Sequence, residues 1–512
     1  MPVARGDFQL YHLSWRANGD SFDVALAVNR VLAAGGHAWR LAEASNQPSK
    51  QPEAGDYLVE LTPSQRAAIS RLGLKSERLQ AAIPHEAQAL TAAVPLLFAG
   101  TASRFPYYAY YALCLLRLGV AYSPCDGATL SHGALDNANL LILPGGFSNW
   151  GIDHAESVQG ADARVRDFLA HGGAAIGSCG GAYYLSMGRP DWTGTAQAKP
   201  LYTHEYLQSG VGVVTLEMRK GPLALGCPPT MEVPYYHGPI YDLVGPGIDV
   251  AATFRELALP GRLAIDNPLD RDKFERDMAG NAAILLATGN RGRAVLFSPH
   301  PEMGDLIRKY IALDGYVRRY LPIRGFGTMR DTLRHYRVCD SPSFRLVQNA
   351  IDELMSTKPE AETMKPEAET MKPEAETMKS HSKTAPSSGR QLASAAGDSE
   401  DADILALCRR QLDALPPFGA GEEGDLLRDV AARAAAAIDR ANASAVRAMS
   451  RISELPALRA SWSHLATTMK DHLDTSTERS PAQQLMELEL SIGLVECWTR
   501  VADWDLALAG RA

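Results

Sequence analysis

The sequence predicts an α/β fold with a doubly wound, mostly parallel sheet, followed by a linker and a bundle of α-helices. Between residues 91 and 325, short uninterrupted apolar runs alternate with segments of helical periodicity. That alternation is typical of parallel strands covered by helices on both faces. A threefold Lys-Pro-Glu-Ala-Glu-Thr-Met repeat over 358–378 then separates this region from a helical one.

The chain of 512 residues is long enough for two to four domains. A hydrophobic fraction of 46% with 21% charged residues indicates globular domains. We divide the chain into a small α/β region (1–90), the main domain (91–325), a helical extension (326–357), a disordered repeat linker (358–400) and an α-helical domain (401–512). The net charge of −8 is mild and no basic run is present, so nucleic acid is not an expected partner.

The N-terminus has no apolar segment typical of a secretion signal, and no run of about 18 uncharged apolar residues occurs. We therefore expect a cytoplasmic protein without a membrane span. The seven cysteines are odd in number and widely scattered, which argues against a disulfide framework and a structural zinc site. No metal or cofactor is expected.

The elements of the first 325 residues follow from hydrophobic periodicity. Residues 55–60 do not have a helical pattern. The predicted helices are 22–32, 63–72, 107–118 and 161–170. The predicted strands are 94–100, 140–143, 174–176 and 293–298.

The seven-residue repeat carries a proline in every copy, and proline excludes a coiled coil. With one methionine per copy as the only sizeable apolar side chain, the repeat is predicted to stay extended and solvated. Ser480 and Pro481 are typical of a helix start. We expect three or four helices that pack, self-associate or bind a protein partner. The alanine-rich amphipathic helices and the segment 479–488 resemble phasins, the helical proteins that coat polyester storage granules.

Three polar or glycine-rich segments follow predicted strands: Pro144-Gly145-Gly146, Gly177-Ser178-Cys179-Gly180-Gly181 and His300-Pro301-Glu302. In open α/β sheets, ligands bind at the carboxyl ends of the strands. These segments are therefore predicted to form one site, although they come from separate parts of the chain.

The site would contain a cysteine nucleophile. A helix N-terminus and an imidazole both favour a thiolate, and Gly177, Gly180 and Gly181 would allow the tight turn that places Cys179 there. His300 would take the thiol proton, and Glu302 would orient the imidazole. The N–H groups of Gly180 and Gly146 would form the oxyanion hole.

These motifs resemble the class I glutamine amidotransferase-like superfamily, with its Gly-x-Cys-x-Gly turn and His-x-Glu pair. With Tyr235-Tyr236-His237-Gly238-Pro239, they are most similar to the domain at the N-terminus of fungal biotin–protein ligases. The resemblance covers about residues 92–325. It implies a flavodoxin-like sheet and a catalytic triad of Cys179, His300 and Glu302.

Some features depart from that family. Glutamine-hydrolysing members carry Gln four residues after the nucleophile, where this chain has Tyr183. No synthetase or biotin ligase domain follows. By the same resemblance, Tyr236 and His237 would lie over the nucleophile and contact substrate together with Tyr183.

The leading functional hypothesis is a cysteine-dependent amidase or amidotransferase-like hydrolase that acts on a small amide or peptide. The alternative is a non-catalytic ligand-binding or scaffold protein whose tethered helices bind a partner. A third interpretation is other thiol chemistry, such as a glyoxal-type hydratase or a redox-sensing cysteine.

Overall fold

The computed structural model describes most of the main domain and parts of the regions on either side. The described residues are 8–42, 53–80, 83–84, 87–146, 150–203, 209–258, 267–289, 291–308, 339–357, 404–414, 432, 435–436, 438–439, 456–475 and 481–508. The predicted linker of 358–400 lies outside them.

The N-terminal region forms an antiparallel sheet with two helices. In chain order its elements are β1 (Gln9–Leu13), α1 (Asp23–Ala33), β2 (Ala38–Leu41), β3 (Tyr57–Leu61), α2 (Pro63–Arg71), β4 (Glu77–Arg78) and β5 (Ala87–Leu90). The strand order is β5-β2-β3-β1-β4. Both predicted helices are confirmed, and Thr62 caps α2 by accepting the N–H of Gln65.

The main domain is built on one large sheet with helices between its strands. The strands are β6 (Pro95–Phe98), β7 (Ser123–Cys125), β8 (Leu140–Leu143), β9 (Ala174–Ser178), β10 (Ala198–Pro200), β11 (Val211–Met218), β12 (Thr230–Tyr236), β13 (Tyr241–Val244), β14 (Ile248–Leu257), β15 (Ala282–Ala287) and β16 (Arg293–Phe297). The helices are α3 (Tyr107–Arg117), α4 (Gly127–Ser131), α5 (Ile152–Glu156), α6 (Ala161–Ala170), α7 (Gly180–Leu185) and α8 (Arg271–Asp277).

The large sheet has a parallel half and an antiparallel half. Strands β16-β9-β8-β6-β7 are parallel neighbours, as the apolar runs predicted. Strands β12-β11-β14-β15 continue the sheet beyond β16 with antiparallel pairing. The predicted α/β fold is confirmed, and the antiparallel strands make the sheet mixed. The carboxyl ends of β8, β9 and β16 therefore meet at one edge.

The parallel strands are buried on both faces. In β8, Leu140 and Ile142 belong to the core on one side of the sheet, while Leu141 and Leu143 belong to the core on the other. Alternate residues of a strand point to opposite faces, so an uninterrupted apolar strand is the sequence signature of such a sheet.

The last described elements return to the two sheets. They are α9 (Phe344–Met355), β17 (Ser356–Thr357), α10 (Ile404–Asp413), α11 (Pro456–Thr475) and α12 (Pro481–Leu508). Strand β17 pairs with β5 at the edge of the N-terminal sheet. None of the described helices is long and apolar enough to cross a membrane.

The C-terminal helices pack against α3 and α1. Tyr110 donates to the sulfur of Met486 on α12 at 3.3 Å, and an ion pair of 2.7 Å joins Arg30 on α1 to Asp505. The sequence predicted helices after the linker, and this is confirmed. Their packing against the main domain was not predicted, because an amphipathic pattern does not identify the surface that it covers.

Candidate active site

Cys179 lies on a sharp turn between β9 and α7. Its backbone angles, φ 50° and ψ −107°, are uncommon for a residue with a side chain, so the turn holds this position under strain. Strand β9 is fixed by parallel neighbours on both sides, and the N–H of Cys179 donates to the carbonyl of Phe297 at 3.0 Å. The position of the thiol is therefore set by the backbone of the sheet.

Two glycines allow α7 to approach the sheet this closely. A Cβ atom on Gly181 would lie 2.0 Å from the carbonyl oxygen of Leu143, and one on Gly177 would lie 2.5 Å from the carbonyl carbon of Gly181. Both obstacles are main-chain atoms. The Gly-x-Cys-x-Gly pattern is thus a packing requirement of the turn.

His300 and Glu302 follow strand β16 and form a buried pair. The Nδ1 atom of His300 lies 2.6 Å from Oε1 of Glu302, and each residue is 2% exposed. The main-chain N–H of His300 donates to the carbonyl of Pro234 at 2.8 Å, which fixes the backbone on the other side. The pair predicted from the sequence is therefore joined within one short turn.

The charge of Glu302 controls the protonation of His300. Burial lowers the pKa of His300, but the Glu302 carboxylate and then Cys179 raise it more strongly, to about 10. The direction of this shift favours the imidazolium form of His300. The sequence suggested a neutral imidazole that accepts the thiol proton, whereas this pKa favours a proton already held on His300 and available to stabilise a thiolate or protonate a leaving group.

Gly145 marks the space shared by the thiol and the imidazole. A Cβ atom built on Gly145 would lie 3.2 Å from Cε1 of His300 and 3.5 Å from Sγ of Cys179. The buried Nε2 atom of His300 has no hydrogen-bond partner among the described residues. The thiol of Cys179 instead donates to the carbonyl oxygen of Tyr236 at 3.0 Å. Cys179 is 6% exposed.

The two candidate oxyanion-hole residues lie beside this space. Gly146, with φ 124°, follows Gly145, and Gly180 follows Cys179. Their N–H groups have no main-chain acceptor within the described part of the chain, whereas the N–H of Gly181 donates to the carbonyl of Pro144. The oxyanion-hole assignment of Gly146 and Gly180 remains a prediction.

The three candidate substrate contacts differ in exposure. Tyr236 is 46% exposed and its ring meets that of His237 edge-on, with 5.0 Å between the centroids. Tyr183 is buried, and its hydroxyl donates to the carbonyl of Gly238 at 3.4 Å. Tyr183 therefore supports the segment that carries Tyr236 and His237. Their contacts with substrate remain a prediction.

His237 has a φ of 51°. This backbone conformation is unfavourable for a residue with a side chain and favourable for glycine. We expect the His237→Gly protein to be more stable than the His237→Ala protein by about 1 kcal/mol, because both lose the imidazole and only alanine keeps the strain. Urea unfolding of the two proteins measures this difference. At the exposed helical position Ala163, the protein with glycine should instead be less stable than the wild type with alanine. If the glycine protein were the less stable one at position 237 as well, the backbone strain at His237 would be refuted.

Two residues of the site were missed by sequence reasoning. The hydroxyl of Ser178 donates to Oε2 of Glu302 at 2.9 Å, and the hydroxyl of Tyr111 lies 2.6 Å from Oγ of Ser178. Ser178 ends the buried strand β9, directly before Cys179. A polar residue at that position was the sequence feature that could have indicated its role. Tyr111 lies on α3 and gave no sequence signal.

The described residues contain no group of three or more His, Cys, Asp or Glu side chains placed to hold a metal ion.

No protein-family model and no curated protein sequence matches the chain. Solved structures that are similar to part of this chain include a glutamine amidotransferase that is 18% identical, with 44% of this chain and 97% of the other covered and a TM-score of 0.27. A glutamine amidotransferase from Thermotoga maritima is 12% identical, with coverages of 51% and 98% and a TM-score of 0.31. A putative GMP synthase protein from Thermoplasma acidophilum is 15% identical, with coverages of 45% and 98% and a TM-score of 0.28.

Proposed function

We propose that this protein is a cysteine-dependent, amidotransferase-like hydrolase that acts on a small amide or peptide through Cys179, His300 and Glu302. The observation that carries the proposal is the arrangement of His300, which is buried and paired with Glu302. Its Nδ1 atom is held by Glu302 at 2.6 Å, and its Nε2 atom has no partner among the described residues. Cys179 lies beside it on a strained turn.

The proposed reaction has two steps. In the first, the thiolate of Cys179 bonds to the carbonyl carbon of the substrate, the C–N bond breaks, and His300 gives its proton to the leaving nitrogen. In the second, water loses a proton to His300 as its oxygen bonds to the thioester carbon. The C–S bond then breaks, which releases the acid and restores the thiolate and imidazolium. The N–H groups of Gly146 and Gly180 would stabilise the oxyanion in both steps.

The substrate is proposed to differ from glutamine. Tyr183 occupies the position of the family's glutamine-binding residue and is buried against Gly238. The nearest kinship proposed for the domain, on the sequence motifs, is with the N-terminal domain of fungal biotin–protein ligases.

The proposal is tested by the reactivity of the thiol. At pH 7 we expect iodoacetamide to label Cys179 about tenfold faster in the wild type than in His300→Ala, because the imidazolium stabilises the thiolate. The rate is read by mass spectrometry of the peptide that contains Cys179. Cys227, whose pKa burial raises to about 12, is an internal reference in the same sample. Equal rates for Cys179 in the two proteins would overturn the triad.

Turnover distinguishes the enzyme from the alternative, a non-catalytic ligand-binding or scaffold protein. The observation that favours the alternative is the carbonyl of Tyr236, which lies 3.0 Å from the sulfur and covers it. Ammonia or amine release is measured with a panel of small amides and dipeptides. The hydrolase proposal expects release by the wild type and none by Cys179→Ser, whereas a scaffold releases nothing in either case.

A further inference from the structure

Both oxygens of the Glu302 carboxylate have a buried partner. Oε1 faces Nδ1 of His300 at 2.6 Å, and Oε2 accepts from the hydroxyl of Ser178 at 2.9 Å. Ser178 is fully buried, and Glu302 is 2% exposed. Water therefore has little access to this carboxylate.

The direction of the hydrogen bonds follows from the chemistry of the groups. A carboxylate only accepts, so Ser178 must donate its single proton to Glu302. The 2.6 Å contact between Ser178 and Tyr111 then requires Tyr111 to be the donor. Burial first, and the nearby charge of Glu302 second, raise the pKa of Tyr111 well above its usual value, so its hydroxyl keeps the proton that it donates.

We propose that Ser178 and Tyr111 are positioning residues of the active site, which act through Glu302 on His300. The inference rests on the proposed function. Tyr111 orients Ser178, Ser178 holds the second oxygen of the carboxylate, and the fixed carboxylate keeps Nδ1 of His300 occupied. The Nε2 atom is thereby left to face the space shared with Cys179. Neither residue contacts the reacting atoms.

The helix α3 offers a matched control. Tyr108 is as buried as Tyr111, and its hydroxyl also lies 2.6 Å from another hydroxyl, Oγ1 of Thr468. That partner belongs to α11 and not to the active site. Tyr108→Phe and Tyr111→Phe thus remove the same group from the same helix, and only the second breaks the connection to Glu302.

The experiment measures iodoacetamide labelling of Cys179 at pH 7 in full-length proteins. We expect the rate to fall about tenfold in Ser178→Ala and about threefold in Tyr111→Phe, since a hydrogen bond to a charged group is the stronger one. Tyr108→Phe should label at the wild-type rate. Urea midpoints should be lowered equally in the two Tyr→Phe proteins, which separates the effect on reactivity from one on stability.

A double-mutant cycle tests the order of the connection. If Tyr111 acts only through Ser178, adding Tyr111→Phe to Ser178→Ala leaves the rate of Ser178→Ala unchanged. A further threefold fall would overturn the proposed route. Equal rates for Ser178→Ala, Tyr111→Phe and Tyr108→Phe, with a slow His300→Ala, would overturn the inference and leave the triad standing. A His300→Ala protein as fast as the wild type would overturn both.

Discussion

Replacement of Glu302 by glutamine is expected to lower amide turnover by about 10³- to 10⁴-fold, the size of effect known for the carboxylate of other nucleophile-imidazole-carboxylate triads. Glutamine keeps the shape of the side chain and removes its charge. The amide can offer its NH₂ group to Nδ1 of His300, which would leave the imidazole in the wrong tautomer for its contact with Cys179. Turnover of the best substrate in the amide panel measures the loss, and a fall of less than tenfold would contradict the role of Glu302.

The same substitution should change how stability depends on pH. Burial lowers the pKa of His300, but Glu302 and then Cys179 raise it from 6.5 to about 10 overall, so the charged pair contributes stability that is complete below pH 6.5 and is lost as pH rises through 10. We expect Glu302→Gln to be less stable than the wild type by about 3–5 kcal/mol at pH 6. The difference should shrink towards pH 10. Urea unfolding between these two pH values measures it, and a gap that is independent of pH would refute the ion pair.

The second large effect is expected at Gly181. Its replacement by alanine places Cβ 2.0 Å from the carbonyl oxygen of Leu143, and neither main chain can move without disturbing strand β8 or the nucleophile turn. We expect a loss of about 3 kcal/mol in the free energy of unfolding. Because the turn itself must shift, labelling of Cys179 at pH 7 should also slow. Thermal unfolding and the labelling rate are the two measurements.

Gly289 provides the control for Gly181. A Cβ atom on Gly289 would meet nothing within 4 Å, and its φ lies outside the range that L-residues rarely adopt. Gly289→Ala should therefore unfold close to the wild type and label at the same rate. If Gly181→Ala behaved like Gly289→Ala, the close packing of α7 on the sheet would be wrong.

The parts of the site that could be predicted from the sequence are those whose residues are close together along the chain. Cys179 and its glycines are five consecutive residues, and His300 and Glu302 are separated by one. Strand ends bring such segments together because parallel strands share one carboxyl edge. The strands of 140–143 and 174–176, and the helix of 161–170, could be predicted for the same reason, since apolar periodicity is a property of neighbouring residues.

The contacts that surround Cys179, His300 and Glu302 could not be predicted in this way. Tyr111 reaches Ser178 across 67 positions of the chain, and its helix shows only an apolar pattern that is equally typical of ordinary packing. The carbonyl oxygen of Tyr236 belongs to the main chain, which every residue has, so the residue type at this position does not predict its contact with Cys179. The antiparallel strands β11 to β15 depend on pairing partners that hydrophobicity does not specify.

The contact between Cys179 and Tyr236 links ionisation of the thiol to exposure of the sulfur. While the sulfur carries its proton, the thiol donates to the carbonyl oxygen at 3.0 Å and the two groups attract. Loss of that proton leaves a thiolate facing an oxygen lone pair, which are two acceptors with no hydrogen between them. The attraction is then replaced by repulsion, so we expect the Tyr236 segment to cover the sulfur less tightly when Cys179 is a thiolate than when it is a thiol.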